Sequence, residues 1–214
     1  MISHRHGAIF TAIPKTGSSS ICKALQVENF CLHHECRSDH MHVKGLRQKT
    51  IFLEHWNDYD SYFKFTFVRD PWDRCLSTYK WYSTPSGRRA LGNKGELYDT
   101  RVVSFSKFIR DYVTIPVMSA PREGYFQKMD LQVNWILDSS GKTIPDFVGR
   151  FENLQRDFDI VCDKIGVPRK KLPHLNKTDH KHYTECYDEE TRQIVTELYA
   201  KDIEFFGYKF GEKP

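Results

Sequence analysis

Residues Ala8 to Leu25 read AIFTAIPKTGSSSICKAL. Residues 8–13 predict a buried strand, and 19–26 predict the helix that follows it. Between them lie Pro14, Lys15, Thr16, Gly17, Ser18, Ser19 and Ser20. A strand–loop–helix unit turns backbone N–H groups toward one point at the helix start, and these attract anions. Gly17 lets the backbone come close to a ligand. The serines add hydroxyl donors, and Lys15 adds a mobile positive charge. The order differs from the loop that embraces a nucleoside triphosphate, where the lysine follows the last glycine. Here Lys15 precedes Gly17, and Ser18 follows it. A P-loop kinase or nucleotidase is the first alternative such a loop raises, and this chain lacks its motif.

A second stretch, FTFVRDPWDRCLSTYKW from Phe65 to Trp81, works with the first. Phe63–Val68 is aromatic and β-branched, so it predicts a strand. Residues 72–82 predict a helix with Pro71 at or near its first turn. Arg69 then stands at a strand end, with Ser77 about two turns into the helix. Arginine can hold a phosphate through two parallel bonds, and serine can donate to the same group. Asp70 and Asp73 read as helix-start charges. Arg69 could instead pair with one of them at the surface, a contact worth little.

Outside these stretches, strand and helix patterns alternate. Residues 50–53 and 146–151 are further strand candidates. Residues 105–112 and Leu154–Ile165 have helical character, the latter stopping at Gly166. Residues 131–137 form another segment. The last helix is expected over 189–206, capped by Asp188, with an apolar stripe of Ile194, Val195, Leu198, Ile203 and Phe206. Residues 84–100 read as an exposed loop. Alternation of this kind implies an α/β fold: a single P-loop-type domain over residues 1–214 with a mostly parallel central sheet flanked by helices. In such sheets ligands sit beyond the C-terminal strand ends, where both the 14–20 loop and Arg69 fall.

The composition narrows the function. The chain has 214 residues, 39% of them hydrophobic and 14% aromatic, which is enough for a proper core. A net charge of +4 suits an anionic ligand and falls short of a nucleic-acid footprint. The six cysteines show no repeated spacing, so a reducing compartment is the simpler reading. No run is long enough to span a membrane.

The paired motifs IPKTGSSS and FKFTFVRDPWDRCLSTYKW resemble the sulfotransferase superfamily, and within it the heparan- and chondroitin-type carbohydrate O-sulfotransferases. DFVGRFENLQRDFD, LPHLNKT and YDEETRQIVTELYAKDIEFFGY extend the likeness from Ile9 to Tyr208. The resemblance implies 3′-phosphoadenosine 5′-phosphosulfate (PAPS) as donor and adenosine 3′,5′-bisphosphate (PAP) as product. It implies that Lys15, Thr16, Gly17, Ser18 and Ser19, with Ser20 beside them, hold the 5′-phosphosulfate. Arg69 and Ser77 would hold the 3′-phosphate. Arg150 to Leu154, RFENL, and residues 174–178 match family segments near the nucleotide, and Gln132 and Trp135 lie in another family-like segment. A carbohydrate or glycan hydroxyl is the implied acceptor, and a non-catalytic glycan-binding relative is the second alternative. The animal relatives are Golgi proteins, so the expected compartment is the cytoplasm for a microbial-type enzyme or the Golgi lumen for a trimmed catalytic domain.

Acceptor attack needs a base, and histidine suits neutral pH. In SDHMHVKGLR, His40 and His42 form a His-x-His between the two anion motifs. Relatives carry a similar pair there. The resemblance makes His42 the base and His40 its helper, with His55 as runner-up. Cys31, His33, His34, Cys36, His40 and His42 are also zinc-ligand types, but their spacing fits no standard finger, and no metal is expected. Sulfuryl transfer should be an in-line displacement, with Lys15 stabilising the leaving phosphate oxygen.

Overall fold

The computed structural model describes residues 1–26, 59–85, 87, 103–113, 130–173 and 182–212. Within it the chain divides into two compact units. One comprises Met1–Arg69 and Gln132–Lys177, the other Asp70–Leu131 and Thr178–Pro214.

The first unit is built on a four-stranded sheet. Its strands are β1 (Ile2–Ser3), β2 (Ala8–Thr11), β3 (Phe63–Val68) and β4 (Phe147–Arg150), adjacent in that order. β1 runs antiparallel to β2, whereas β2, β3 and β4 are mutually parallel. The register pairs Thr11 with Thr66 and Val68 with Arg150, so the three parallel strands end along one edge. A bond from Thr66 Oγ1 to the Thr11 carbonyl (2.7 Å) ties β2 to β3 near that edge.

Alternation along the strands divides the buried side chains between two clusters. Ala8, Phe10, Phe65 and Phe67 pack with Ile21 and Leu25 of α1 (Ser18–Gln26) and with Phe158, Val161, Cys162 and Ile165 of α5 (Leu154–Ile165). Phe10 stacks on Phe65 at 5.1 Å and meets Phe67 edge-on at 6.4 Å. Each fully buried ring of this kind contributes about 1.5–3 kcal/mol. On alternate residues, Ile2 and Ile9 pack with Tyr59 and Tyr62. All four residues of β2 are buried, the pattern of a strand covered on both faces. α4 (Val133–Ile136) also belongs to this unit and buries Trp135 completely.

The second unit carries α2 (Pro71–Tyr82), a short α3 (Phe105–Phe108), α6 (Glu189–Leu198) and α7 (Ala200–Phe206). Asp70 caps α2 by accepting from the N–H groups of Trp72 (2.8 Å) and Asp73 (3.1 Å). Pro71 opens the helix, where a missing N–H costs nothing. The other Asp70 oxygen accepts from the Tyr183 hydroxyl at 2.7 Å, and that hydroxyl accepts from the Gly211 N–H at 2.8 Å. Phe210 meets Trp72, Tyr183 and Tyr187 edge-on.

Several expectations change. The strand over 8–13 ends at Thr11, and 146–151 shortens to Phe147–Arg150. The helix over 105–112 becomes α3 followed by a wider π-type turn, Ile109–Val113. The last helix breaks at Tyr199 into α6 and α7. Its buried line is Thr191, Val195, Tyr199, Asp202 and Phe206, while Leu198 is 41% exposed. Val195 and Phe206 of the expected stripe are therefore buried, whereas Tyr199 and Asp202 fill the interior in place of Leu198 and Ile203. The 50–53 strand candidate and most of the 84–100 loop fall outside the described residues.

Candidate functional site

The site is assembled at the C-terminal ends of β2, β3 and β4. β2 ends at Thr11, and residues 14–17 form a turn that leads straight into α1. The Thr16 hydroxyl donates to the Ile13 carbonyl at 2.9 Å and is fully buried, so this side chain closes the turn from inside. Ser20 and Ile21 donate to the Gly17 carbonyl at 3.0 and 3.2 Å, which starts the helical ladder. The first N–H groups of a helix precede that ladder and are available to a ligand or solvent. Here they belong to a serine run, with Ser19 exposed and no acidic residue in the first turn. This is the electrostatic setting an anion requires.

Two backbone angles shape the turn. Gly17 has φ +82° and Lys15 has φ +71°. Glycine adopts that region freely, whereas a lysine there costs about 1–2 kcal/mol and must be held by its surroundings. Part of the hold comes from Arg69, whose Nη1 donates to the Lys15 carbonyl at 3.1 Å. Gly17 also packs closely. A Cβ added to it would lie 2.8 Å from Leu154 Cδ2 and 3.2 Å from Phe151 Cδ2. Thus the segment after β4 forms the floor beneath the loop.

Arg69 follows β3 directly and is 8% exposed. It is not the surface arginine that the sequence left open as an alternative. Its N–H donates to Gln132 Oε1 at 2.9 Å, and its carbonyl accepts from Gln132 Nε2 at 2.8 Å. The fully buried Gln132 amide thereby mimics a neighbouring strand and fixes the main chain of Arg69. The guanidinium carbon lies over the Phe151 ring, 3.9 Å from its centre. At the end of β4, the Arg150 N–H donates to Asp157 Oδ2 at 2.8 Å, anchoring that strand to the first turn of α5.

The structure thus brings together Lys15, Thr16, Gly17 and Arg69 from the expected set, with Ser18, Ser19 and Ser20 starting α1. Ser77 lies in the second unit, half-buried on α2. His40, His42 and His55 lie outside the described residues, as does the Cys31–His42 cluster. Two contributors carry roles that their sequence neighbourhood did not reveal. Phe151 is the platform for Arg69, and Gln132 is its main-chain clamp. Both lie in segments singled out by resemblance, but no spacing rule connects either to Arg69. Cys22, on α1, is buried, and that burial pushes its thiol up to about 11, away from the thiolate form.

The first unit is thus an α/β layer with a strand–loop–helix turn at the C-terminal edge of its parallel strands. The chain belongs to the sulfotransferase family, whose model matches residues 1–209. It is 24% identical over 226 residues to carbohydrate sulfotransferase 9 of Homo sapiens, covering 94% of this chain and 47% of that protein. It is 24% identical over 240 residues to carbohydrate sulfotransferase 14 of Danio rerio, covering 97% of this chain and 61% of that one. An uncharacterized protein of Archaeoglobus fulgidus is 27% identical over 125 residues, which is 58% of this chain and 85% of the relative. The chain spans about half to two thirds of the length of the carbohydrate sulfotransferases it matches. No solved structure matches it.

Proposed function

We propose that the protein is a PAPS-dependent sulfotransferase acting on a carbohydrate hydroxyl. The observation that carries this reading is the cradle made by Lys15, Gly17 and the start of α1, bonded through the Lys15 carbonyl to a buried Arg69. Such a pair suits a ligand with two separated anionic groups. PAPS has that form, with a 5′-phosphosulfate and a 3′-phosphate. Membership of the sulfotransferase family supports the donor, and the names of the carbohydrate sulfotransferase relatives support a sugar acceptor.

In this reading the acceptor oxygen attacks sulfur as the bond from sulfur to the 5′-phosphate oxygen breaks. PAP leaves with the bonding electrons. Lys15 and the backbone N–H groups at the start of α1 stabilise the charge that builds on that oxygen. Arg69 holds the 3′-phosphate, and Ser77 is assigned to the same phosphate from the sequence. His42 takes the acceptor proton, and His40 supports it. Both histidines are assigned from the His-x-His in the sequence.

The test is transfer of labelled sulfate from PAPS to a panel of glycans. Wild-type protein should label an acceptor, and His42→Ala should lose about two to four orders of magnitude in rate. Full activity in His42→Ala would move the base elsewhere, with His55 next to be tested.

A further inference from the structure

We infer that Arg69 is a brace for the 5′-anion loop as well as a ligand for the 3′-phosphate, and that Phe151 is the positioning residue that makes this double role possible. The inference rests on the proposed donor site and deepens it.

Three contacts meet at one point. The Arg69 guanidinium lies on the Phe151 ring at 3.9 Å. Its Nη1 donates to the Lys15 carbonyl at 3.1 Å. The same Phe151 ring lies 3.2 Å from the point where a Cβ on Gly17 would stand. Lys15 holds φ +71°, a conformation that a lysine keeps only when its carbonyl and neighbours are fixed from outside. Arg69 supplies such a fixture, and its own main chain is immobilised by Gln132. A guanidinium has five N–H donors in one plane, so a bond to Lys15 does not by itself exhaust its capacity for phosphate. The ring beneath the guanidinium carbon, rather than solvent, holds the group in place.

The consequence is coupling between the two anion subsites. A 3′-phosphate that engages Arg69 also steadies the loop that receives the 5′-group, and a 5′-ligand depends on Arg69 without touching it. A residue that only binds the 3′-phosphate would behave differently. Its loss would be invisible to a ligand that lacks that phosphate.

The experiment compares PAP with adenosine 5′-monophosphate by calorimetry on the full chain. Wild type should bind PAP more tightly. Arg69→Ala should weaken adenosine 5′-monophosphate as well as PAP, the former by about fivefold or more, the scale of ordinary coupling between sites. Should Arg69→Ala not fold, Arg69→Lys keeps the charge and loses the planar fork, and the same loss for the monophosphate is expected. Phe151→Leu should lower the ratio of PAP to monophosphate affinity, and Phe151→Tyr should restore it. A merely structural role for Phe151 would lower Tm and leave that ratio unchanged. Unchanged monophosphate affinity in the folded Arg69 variant overturns the brace. An unchanged ratio in Phe151→Leu overturns the platform. Failure of wild type to bind PAP overturns the donor reading itself, and is thereby told apart from failure of the brace.

Discussion

Gly17→Ala isolates the loop's geometry from its charge. The glycine has φ +82°, where any Cβ is strained by about 1–2 kcal/mol. A steric term adds to this, because the new Cβ would stand 2.8 Å from Leu154 Cδ2 and 3.2 Å from both Leu154 Cδ1 and Phe151 Cδ2. The leucine methyls are the far end of a flexible side chain and can yield. The backbone term therefore dominates, and the whole effect should stay near 1–2 kcal/mol. For a chain of this size that corresponds to a Tm lowered by about 2–8 °C. Gly149→Ala provides the contrast. Its φ needs no glycine, but its Cβ would lie 2.5 Å from Phe67 Cε1 and 2.7 Å from Cδ1. That ring is fully buried against Phe10 and Phe147, so overpacking costs about 1–3 kcal/mol. The two variants should lose comparable stability by thermal melts. Calorimetry with PAP should separate them, with Gly17→Ala losing affinity and Gly149→Ala largely keeping it. Equal affinity in both, or a Gly17→Ala protein as stable as wild type, would refute the argument that this glycine shapes the cradle.

Other expectations follow from single contacts. Gln132→Leu removes two hydrogen bonds to the main chain of the buried Arg69, at about 0.5–1.5 kcal/mol for each; urea unfolding should show it. Asp188→Ala breaks the capping box with Thr191 at the start of α6 and should lower Tm at neutral pH. Hydrogen bonds from the Thr191 side chain and backbone hold the Asp188 carboxyl below its ordinary value, so its contribution is present above that value and fades as pH falls through the lowered one. The gap between variant and wild type should therefore close in acid. At the other extreme, burial raises Cys22 to about 11 and Cys75 to about 12, from ordinary values of 9.0. Both thiols favour the folded state fully below pH 9, and that contribution drains as the unfolded thiols ionise first. Cys22→Ser and Cys75→Ser melts should thus fall less steeply than wild type across this alkaline range.

Much of the first unit was legible because its signals are local. Phe63–Val68 is a run of aromatic and β-branched residues, and it forms the strand with those bounds. Leu154–Ile165 ends where Gly166 takes a left-handed φ, as a helix stop should. Pro14 to Gly17 revealed a turn, and Arg69 revealed a strand end. The burial of Arg69 was not legible, since it depends on Phe151, far along the chain. Gln132 likewise gives no hint of a clamp, because a lone glutamine carries no periodic signal. β1 escaped notice because a two-residue strand has no period. The break at Tyr199 escaped because a tyrosine with a polar edge reads as less apolar than Leu198, though its ring fills more space. The His-x-His was read from likeness to relatives rather than from geometry.

In the proposed donor site the early-lysine loop and Arg69 together accept a nucleotide with separate 5′ and 3′ anions. Thermal melting with PAP, set against ATP with Mg²⁺, tests it most directly. At a ligand concentration a hundredfold above Kd, PAP should stabilise the fold by about 2.7 kcal/mol and raise Tm visibly. ATP with Mg²⁺ should give a much smaller shift. A large shift with ATP and Mg²⁺ and none with PAP would contradict a PAPS-binding site.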